Sequence, residues 1–306
     1  METWFLMNLY TQAESNIRKT WFYLSFFLIF VIVVGWIISY FLESPVILYF
    51  AVILSVLLNF FAYWYSDKIV LKLSRARPIE KQDNPELYRL VENLCITAGL
   101  PLPKIYIIDS AQPNAFATGR DAKHAVVAVT GGLLEKLERV ELEGVIAHEL
   151  SHIGNKDILL QTIIVVLVGM VVMMTDFFFR IAFWGGAGRR SREGERLRWI
   201  MILVALALAI LAPIFAQIMK LAISRKREYL ADSSSALLTR YPEGLARALE
   251  RISVDPNPLK MANDATSHLY IASPFRGKEK TSWLHRLFMT HPPIEERIKA
   301  LRGMKI

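Results

Sequence analysis

Cysteine is almost absent from this 306-residue chain, in which Cys95 is the only one. No disulfide can therefore form within the chain, which is compatible with a reducing compartment. An aromatic and basic recognition motif is also missing, so the formal net charge of +8 does not predict nucleic-acid binding. In a chain that is 54% hydrophobic, this charge indicates attraction to an anionic membrane surface.

Charge itself is missing from four long stretches of the chain. A run of about 20 apolar residues is enough to cross a bilayer. The uncharged stretches are residues 20–42, 44–66, 158–175 and 199–219. The first two predict a membrane hairpin that turns at Ser44 and Pro45, because a secretory signal peptide would be shorter and would lack the second span. The last two predict two further transmembrane or membrane-associated helices, with a pair of buried core helices as the alternative.

Basic residues near the predicted spans indicate the orientation of the chain. Arg18 and Lys19 precede the first span, five basic residues follow the second between positions 68 and 81, and the link between the spans has none. The positive-inside rule therefore predicts a multi-pass protein of the cell membrane in which both ends of the first hairpin face the cytoplasm. Five arginines at positions 189–198 disagree with this orientation if the second pair of helices crosses the membrane, so that crossing stays open.

The remaining sequence predicts helices and a small sheet. Asn84 and Pro85 indicate the start of a helix that ends at Gly99. Runs rich in β-formers predict strands at 105–108 and 125–129, with an edge strand at 114–119 between them. Further helices are predicted at 141–152, 224–238, 242–252 and 294–301, and a long loop at 255–282. The expected fold class is an α+β integral membrane protein, mostly helical, with a small sheet beside the helix predicted at 141–152.

The sequence from His148 to His152 has the form H-E-x-x-H. Residues four apart lie on one helix face, so the imidazoles of His148 and His152 can reach one metal ion. Glu149 follows the first of these ligands and is placed to take a proton from water. Two neutral imidazoles and one carboxylate suit zinc, with a fourth position left for water. The motif therefore predicts one Zn²⁺ per chain.

A third metal ligand has to come from elsewhere in the chain. A third histidine in the extended motif would require glycine at 155 and histidine at 158, where this chain has Asn155 and Ile158. Glu228 and Asp232 lie four apart on a later helix, so Glu228 is the predicted ligand and Asp232 the acceptor for a ligating imidazole N–H. A solvated salt-bridge face is the alternative. Because His148 must meet Glu228, the chain between them crosses the bilayer twice or not at all.

These motifs, in this order between the apolar segments, resemble the HtpX-type membrane metallopeptidases, relatives of the CaaX prenyl endopeptidase, over nearly the whole chain. His291, Pro292 and Pro293, followed by Arg297, add to the resemblance. It implies that His291 and Arg297 stabilise the oxyanion near the metal, and that His291 can cap the zinc at rest. From the residues alone, His291 and Pro292 could equally form a turn.

The resemblance extends to the predicted edge strand. Asn114, Ala115 and Phe116 are similar to the family's substrate-aligning strand, to which a peptide adds through main-chain hydrogen bonds. Asp157 fits the family's pattern of an aspartate five residues after the second histidine, without an assigned role. Three other histidines are expected to be structural or solvated: His124, His268 and His285.

Together these features predict a membrane-bound zinc endopeptidase that acts on polypeptides at the cytoplasmic face of the membrane. The resemblance implies a role in quality control of misfolded or damaged membrane proteins. The alternatives are a processing peptidase for one peptide or lipidated substrate, and a transporter or channel with a structural zinc site. The predicted regions are 1–66 (membrane hairpin), 67–157 (catalytic region), 158–222 (second membrane hairpin) and 223–306 (C-terminal helical region with the third ligand).

Overall fold

The computed structural model describes residues 2–184, 199–211, 225–256, 269–271 and 292–304. Within these ranges the helices are α1 (Glu2–Phe41), α2 (Pro45–Trp64), α3 (Ser66–Leu73), α4 (Pro85–Ala98), α5 (Gly131–Lys136), α6 (Arg139–Gly154), α7 (Asp157–Trp184), α8 (Trp199–Leu211), α9 (Arg225–Thr239), α10 (Pro242–Val254) and α11 (Ile294–Arg302). The strands are β1 (Arg77–Pro78), β2 (Lys104–Ile108), β3 (Ala115–Thr118) and β4 (Val126–Thr130). A mostly helical chain with one small sheet confirms the predicted fold class.

Three of the described helical segments are long and apolar enough to cross a membrane. They are Glu14–Phe41, Pro45–Trp64 and Asp157–Ile181, and they correspond to the first three predicted segments. The fourth predicted segment contains α8, which is a shorter apolar helix. Its remaining residues, 212–219, lie outside the described residues, as does the arginine-rich loop that opposed the predicted orientation.

Two of these helices extend beyond the predicted spans. α1 begins well before residue 20, because neither glycine nor proline interrupts residues 2–19. α7 continues past residue 175, and two opposite charges lie one turn apart on its surface there. Arg180 Nε donates to Asp176 Oδ2 at 2.7 Å.

The first two helices pack closely at a pair of small residues. A Cβ atom added at Gly35 of α1 would overlap the Cβ atom of Ala51 on α2. Small residues allow such close approach of helices where water cannot drive association. α7 packs on the same hairpin through a buried apolar cluster that includes Phe27, Leu160 and Ile163. The hairpin and the third apolar helix therefore form one packed unit.

The sheet has the strand order β1-β2-β4-β3. β2 and β4 run parallel, whereas β3 pairs antiparallel with β4 in a register that places Ala115 opposite Val129. All three predicted strands are present, and β3 lies at the end of the sheet as predicted. α4 has the predicted cap, in which Asn84 Oδ1 accepts from Leu87 N at 3.0 Å.

One hydrophobic core joins the sheet and α4 to the C-terminal helices. It contains buried side chains of α4, β4, α6, α10 and α11, among them Leu87, Val127, Ile146, Leu249 and Leu301. α9 crosses α6 and is fixed there by Ser235 Oγ, which donates to Gly144 O at 2.8 Å. This core therefore brings the C-terminal helices against the helix that carries H-E-x-x-H.

Candidate metal centre

α6 carries both histidines of the motif into the protein interior. Glu138 and Glu141 form a capping box at its start. His148, Glu149 and His152 are buried, with 1%, 2% and 5% of their surface exposed. Buried polar groups have to find polar partners, and other elements of the fold supply a carboxylate to each of the two imidazoles.

The two imidazoles and Glu228 of α9 converge on one point. His148 Nε2 lies 3.2 Å from His152 Nε2. The carboxylate oxygens of Glu228 lie 3.8 Å from the first of these nitrogens and 3.6 Å from the second. Glu228 is fully buried. His148 of α6 and Glu228 of α9 therefore meet at one point, although apolar segments lie between these two helices in the chain.

This geometry fits a metal ion. A tetrahedral ion with bonds of about 2.0–2.2 Å holds its ligand atoms about 3.3–3.6 Å apart, close to the 3.2, 3.6 and 3.8 Å found here. The other ring nitrogens, Nδ1 of His148 and of His152, each face a carboxylate. Such partners leave the Nε2 lone pairs directed at the common point. His148, His152 and Glu228 could thus hold a metal ion.

Each of the two imidazoles has a carboxylate next to its Nδ1 atom. Asp232 Oδ1 lies 3.0 Å from His148 Nδ1, in the place expected for the predicted acceptor. Asp157 Oδ2 lies 3.1 Å from His152 Nδ1. The sequence had pointed to Asp157 without a role, and the structure places it against the second imidazole.

Arg297 of α11 is fully buried beside this centre. Its guanidinium makes two bonds to Asp232, with Nη2 at 2.7 Å and Nε at 2.9 Å from the carboxylate oxygens. Nη1 donates to the carbonyl oxygen of Ile271 at 3.0 Å. Nη2 lies 3.5 Å from His148 Nε2. Arg297 is therefore next to the metal position, as expected, with a carboxylate holding its orientation.

The pKa values of the two histidines shift in opposite directions. Burial lowers the pKa of His148 to about 4, although Asp232 opposes the shift. Burial also disfavours charge on His152, but Asp157, Glu228 and Glu149 outweigh it and raise its pKa to about 9. Burial opposes ionisation of Asp232, yet Arg297 and His148 lower its pKa to about 2. The surplus of carboxylates favours a cation at this point, whether a proton or a metal ion.

The predicted substrate strand lies near the same region. Asn114 is buried and donates its backbone N–H to Thr130 Oγ1 at 2.8 Å. Phe116 is also buried and packs edge-on against the ring of Tyr270. The carbonyl oxygen of Ala115 accepts from Ile271 N at 3.0 Å. Part of the outer edge of β3 is therefore already paired with residues 269–271, which the sequence analysis did not foresee.

The sequence has four histidines outside the H-E-x-x-H motif. His291 lies outside the described residues, as do His268 and His285. His124 is exposed and its Nδ1 lies 2.7 Å from Asp121 Oδ1, which agrees with a solvated role. Asn16 and Arg227, which contact Asp157, were not predicted at all. Their only sequence signal is their position, one near the start of an apolar span and the other next to Glu228.

Two imidazoles on an H-E-x-x-H helix, opposed by a glutamate from a second helix, define a metallopeptidase centre. Here that centre adjoins helices of membrane-spanning length. Residues 81–305 match the family described as Peptidase family M48, and the chain belongs to this family. It is a membrane-associated metallopeptidase.

Similar proteins cover almost the whole chain. A "Protease HtpX homolog" of Dictyoglomus thermophilum is 47% identical over 96% of this chain and 94% of its own length. A protein of the same description from Caldanaerobacter subterraneus is 43% identical, covering 97% of this chain and 98% of its own. The crystal structure of S. mikatae Ste24p is 20% identical with a TM-score of 0.49, covering 96% of this chain and 67% of that one.

Proposed function

We propose that this metallopeptidase is a zinc-dependent endopeptidase that cleaves membrane proteins at the cytoplasmic face of the membrane, in quality control of misfolded or damaged chains. The convergence of His148, His152 and Glu228 on one point carries this proposal. The relatives described as HtpX proteases support peptide hydrolysis, and the helices of membrane-spanning length support a location at a membrane. The substrate class is proposed from the resemblance.

Zinc is the metal that this ligand set suits best. Two imidazole nitrogens and one carboxylate oxygen, with a fourth position open, are the ligands of a catalytic rather than a structural zinc site. When bound, zinc supplies a Lewis acid that makes water a nucleophile at neutral pH and polarises a carbonyl. Asp232 and Asp157 hold the two imidazoles in the tautomer that directs Nε2 to the metal.

Glu149 is the proposed general base. It follows His148 on α6, is 2% exposed, and its charge acts on both His152 and Arg297. It would take the proton of the attacking water and later give it to the leaving amine. A structural metal site has no need of such a group beside its ligands.

Arg297 is the proposed stabiliser of the oxyanion. Its Nη1 already donates to a main-chain carbonyl, that of Ile271, at 3.0 Å. A scissile carbonyl is the same kind of group, and a fixed guanidinium stabilises the charge that develops on its oxygen. We propose the same role for His291, on the strength of the resemblance.

The peptide is proposed to add to β3 next to Asn114, Ala115 and Phe116. Because Ile271 N–H is bonded to the Ala115 carbonyl, the peptide has to pair beside residues 269–271 or displace them. The four proposed regions are those expected from the sequence: 1–66 and 158–222 in the membrane, and 67–157 and 223–306 contributing the catalytic residues.

Glu149→Gln tests this function directly. The purified variant should bind zinc as the wild type does, measured by metal analysis, and should fail to cleave a membrane-protein substrate. Glu143→Gln, a change on the same helix outside the site, should cleave normally. Cleavage by the Glu149→Gln chain would refute the mechanism. Mapping the products in whole membranes would then separate a broad substrate range from a single processed substrate.

A further inference from the structure

A buried polar cluster lies behind the metal centre, between the first apolar helix and α7. Its members are Asn16 of α1, Asp157 at the first residue of α7, and Arg227 of α9, all at most 3% exposed. They contact one another, and Asp157 lies against His152 Nδ1 rather than against the Nε2 atom that belongs to the candidate metal centre. They come from three elements far apart in sequence, and two of these elements begin a candidate span close to this cluster.

The two oxygens of Asp157 are shared between different partners. Oδ2 lies 3.1 Å from His152 Nδ1. Oδ1 accepts from Asn16 Nδ2 at 2.7 Å and lies 3.4 Å from Arg227 Nη1. Arg227 Nη1 also donates to Asn16 Oδ1 at 3.1 Å. A closed triangle thus holds one oxygen of the carboxylate, while the other holds the imidazole.

Because both oxygens have partners, the carboxylate of Asp157 is prevented from rotating. A buried carboxylate with one oxygen free would turn to find another partner, because an unmet acceptor in the interior is costly. If Asp157 turned, His152 Nδ1 would lose its acceptor and the ring could leave the orientation that points Nε2 at the metal. Groups that orient metal ligands in this way change metal affinity by about 10–100-fold.

We propose that Asn16, together with Arg227, is a positioning residue for His152 and acts through Asp157. The packing of the first membrane helix against α7 then sets the affinity of the metal centre. This inference rests on the proposed metal site, but it does not depend on which peptide is cut.

The test measures metal binding by the full-length chain in detergent micelles. Zinc affinity is determined by competition with a chelator, and Co²⁺ substitution reports ligand geometry through its visible absorption. Asn16→Ala should weaken zinc binding by about 10-fold and alter the Co²⁺ spectrum. Asn59→Ala is the matched control, because this asparagine of the same hairpin donates to Ser55 O of its own helix at 2.9 Å and bonds to no other element in the described part of the chain.

A double-mutant cycle tests whether Asn16 acts on His152 through Asp157. Asp157→Ala should weaken binding at least as much as Asn16→Ala, and Asn16→Ala should add no further loss in the Asp157→Ala background. Independent, multiplying losses would overturn the proposal, because Asn16 would then act by another path. Wild-type affinity and spectrum in Asn16→Ala would overturn it as well.

Folding of the variants and metal binding by the wild-type chain are measured as well, so that misfolding or a missing metal site is not mistaken for failure of the proposal. Thermal unfolding of the metal-free variants shows whether Asn16→Ala still folds. If the Asn16→Ala chain does not fold, Arg227→Gln is tested in its place. We expect the same weakening of zinc binding in Arg227→Gln, and wild-type zinc affinity in this variant would overturn the proposal. A wild-type chain that binds neither Zn²⁺ nor Co²⁺ would refute the metal site itself, whereas tight binding that ignores Asn16 and Arg227 would refute only their positioning role.

Discussion

Arg297 and Arg302 lie on the same helix and both form paired bonds to carboxylates, yet their burial differs completely. Arg297 is fully buried against Asp232. Arg302 bonds to Glu243 and Glu250 with 43% of its side chain exposed. Removing one partner of a buried ion pair leaves the other charge unpaired in the interior, which costs about 3–5 kcal/mol. Exposed pairs contribute little because water and salt screen them.

We therefore predict that Arg297→Met lowers the free energy of unfolding by about 3–5 kcal/mol, a fall in melting temperature of the order of 10 °C. Arg302→Met should change it far less. Both are measured by thermal unfolding in detergent with chelator present, so that loss of metal does not contribute to the difference.

A second substitution separates the unpaired charge from simple loss of packing. Asp232→Leu in the Arg297→Met background removes the carboxylate that has lost its guanidinium partner. It should recover about half of the lost stability, because apolar replacement of both partners is often neutral but His148 Nδ1 then loses its acceptor. Equal losses for Arg297→Met and Arg302→Met, or no recovery in the double variant, would refute the assignment of Arg297 and Asp232 as a buried, mutually dependent pair.

Three other predictions use the same detergent-solubilised protein. Gly35→Ala should destabilise the membrane hairpin in a denaturant titration, because its methyl group would overlap Ala51, whereas Gly169→Ala on α7 meets no atom within 4 Å and should be tolerated. Zinc at about 100 times its dissociation constant should raise stability by about 2.7 kcal/mol, and a Glu228→Gln chain should lose most of that gain. Cys95 is buried and its pKa is raised to about 11, so alkylation at pH 8 should be slow until the chain unfolds, and fast labelling would contradict this burial.

The sequence was most informative where the signal is local. The cap at Asn84 and the four-residue spacing of His148 and His152 involve only neighbouring residues and one helix geometry, and α4 and α6 lie as predicted. Uncharged length predicted four apolar segments, and three of them are helices long enough to cross a membrane, because bilayer thickness fixes the length of a span. The roles assigned to the site residues stay predictions, although the structure brings His148, His152, Glu228, Asp232 and Arg297 into one cluster.

What the sequence could not predict depends on contacts between distant segments. The bond between Asn16 and Asp157 joins residues 141 positions apart, and an asparagine near the start of an apolar span belongs to no periodic pattern that would identify its partner. The bond from Ile271 N to Ala115 O is made by main-chain atoms, which every residue except proline offers equally. Its position follows from packing of Tyr270 on Phe116 rather than from a motif.

The place of the metal centre relative to the membrane follows from these distant contacts. Lys156 turns the chain in a left-handed conformation, with φ of 56°, between α6 and α7, so His152 is followed almost at once by a candidate span. Asn16, near the start of another candidate span, reaches the same aspartate as His152. One candidate span thus begins in contact with the candidate ligand His152, and a second begins in contact with the aspartate that binds this histidine. Because the bilayer limits approach from that side, we expect the bonds that are cut to lie in extended segments next to a membrane surface rather than inside a bilayer-embedded helix.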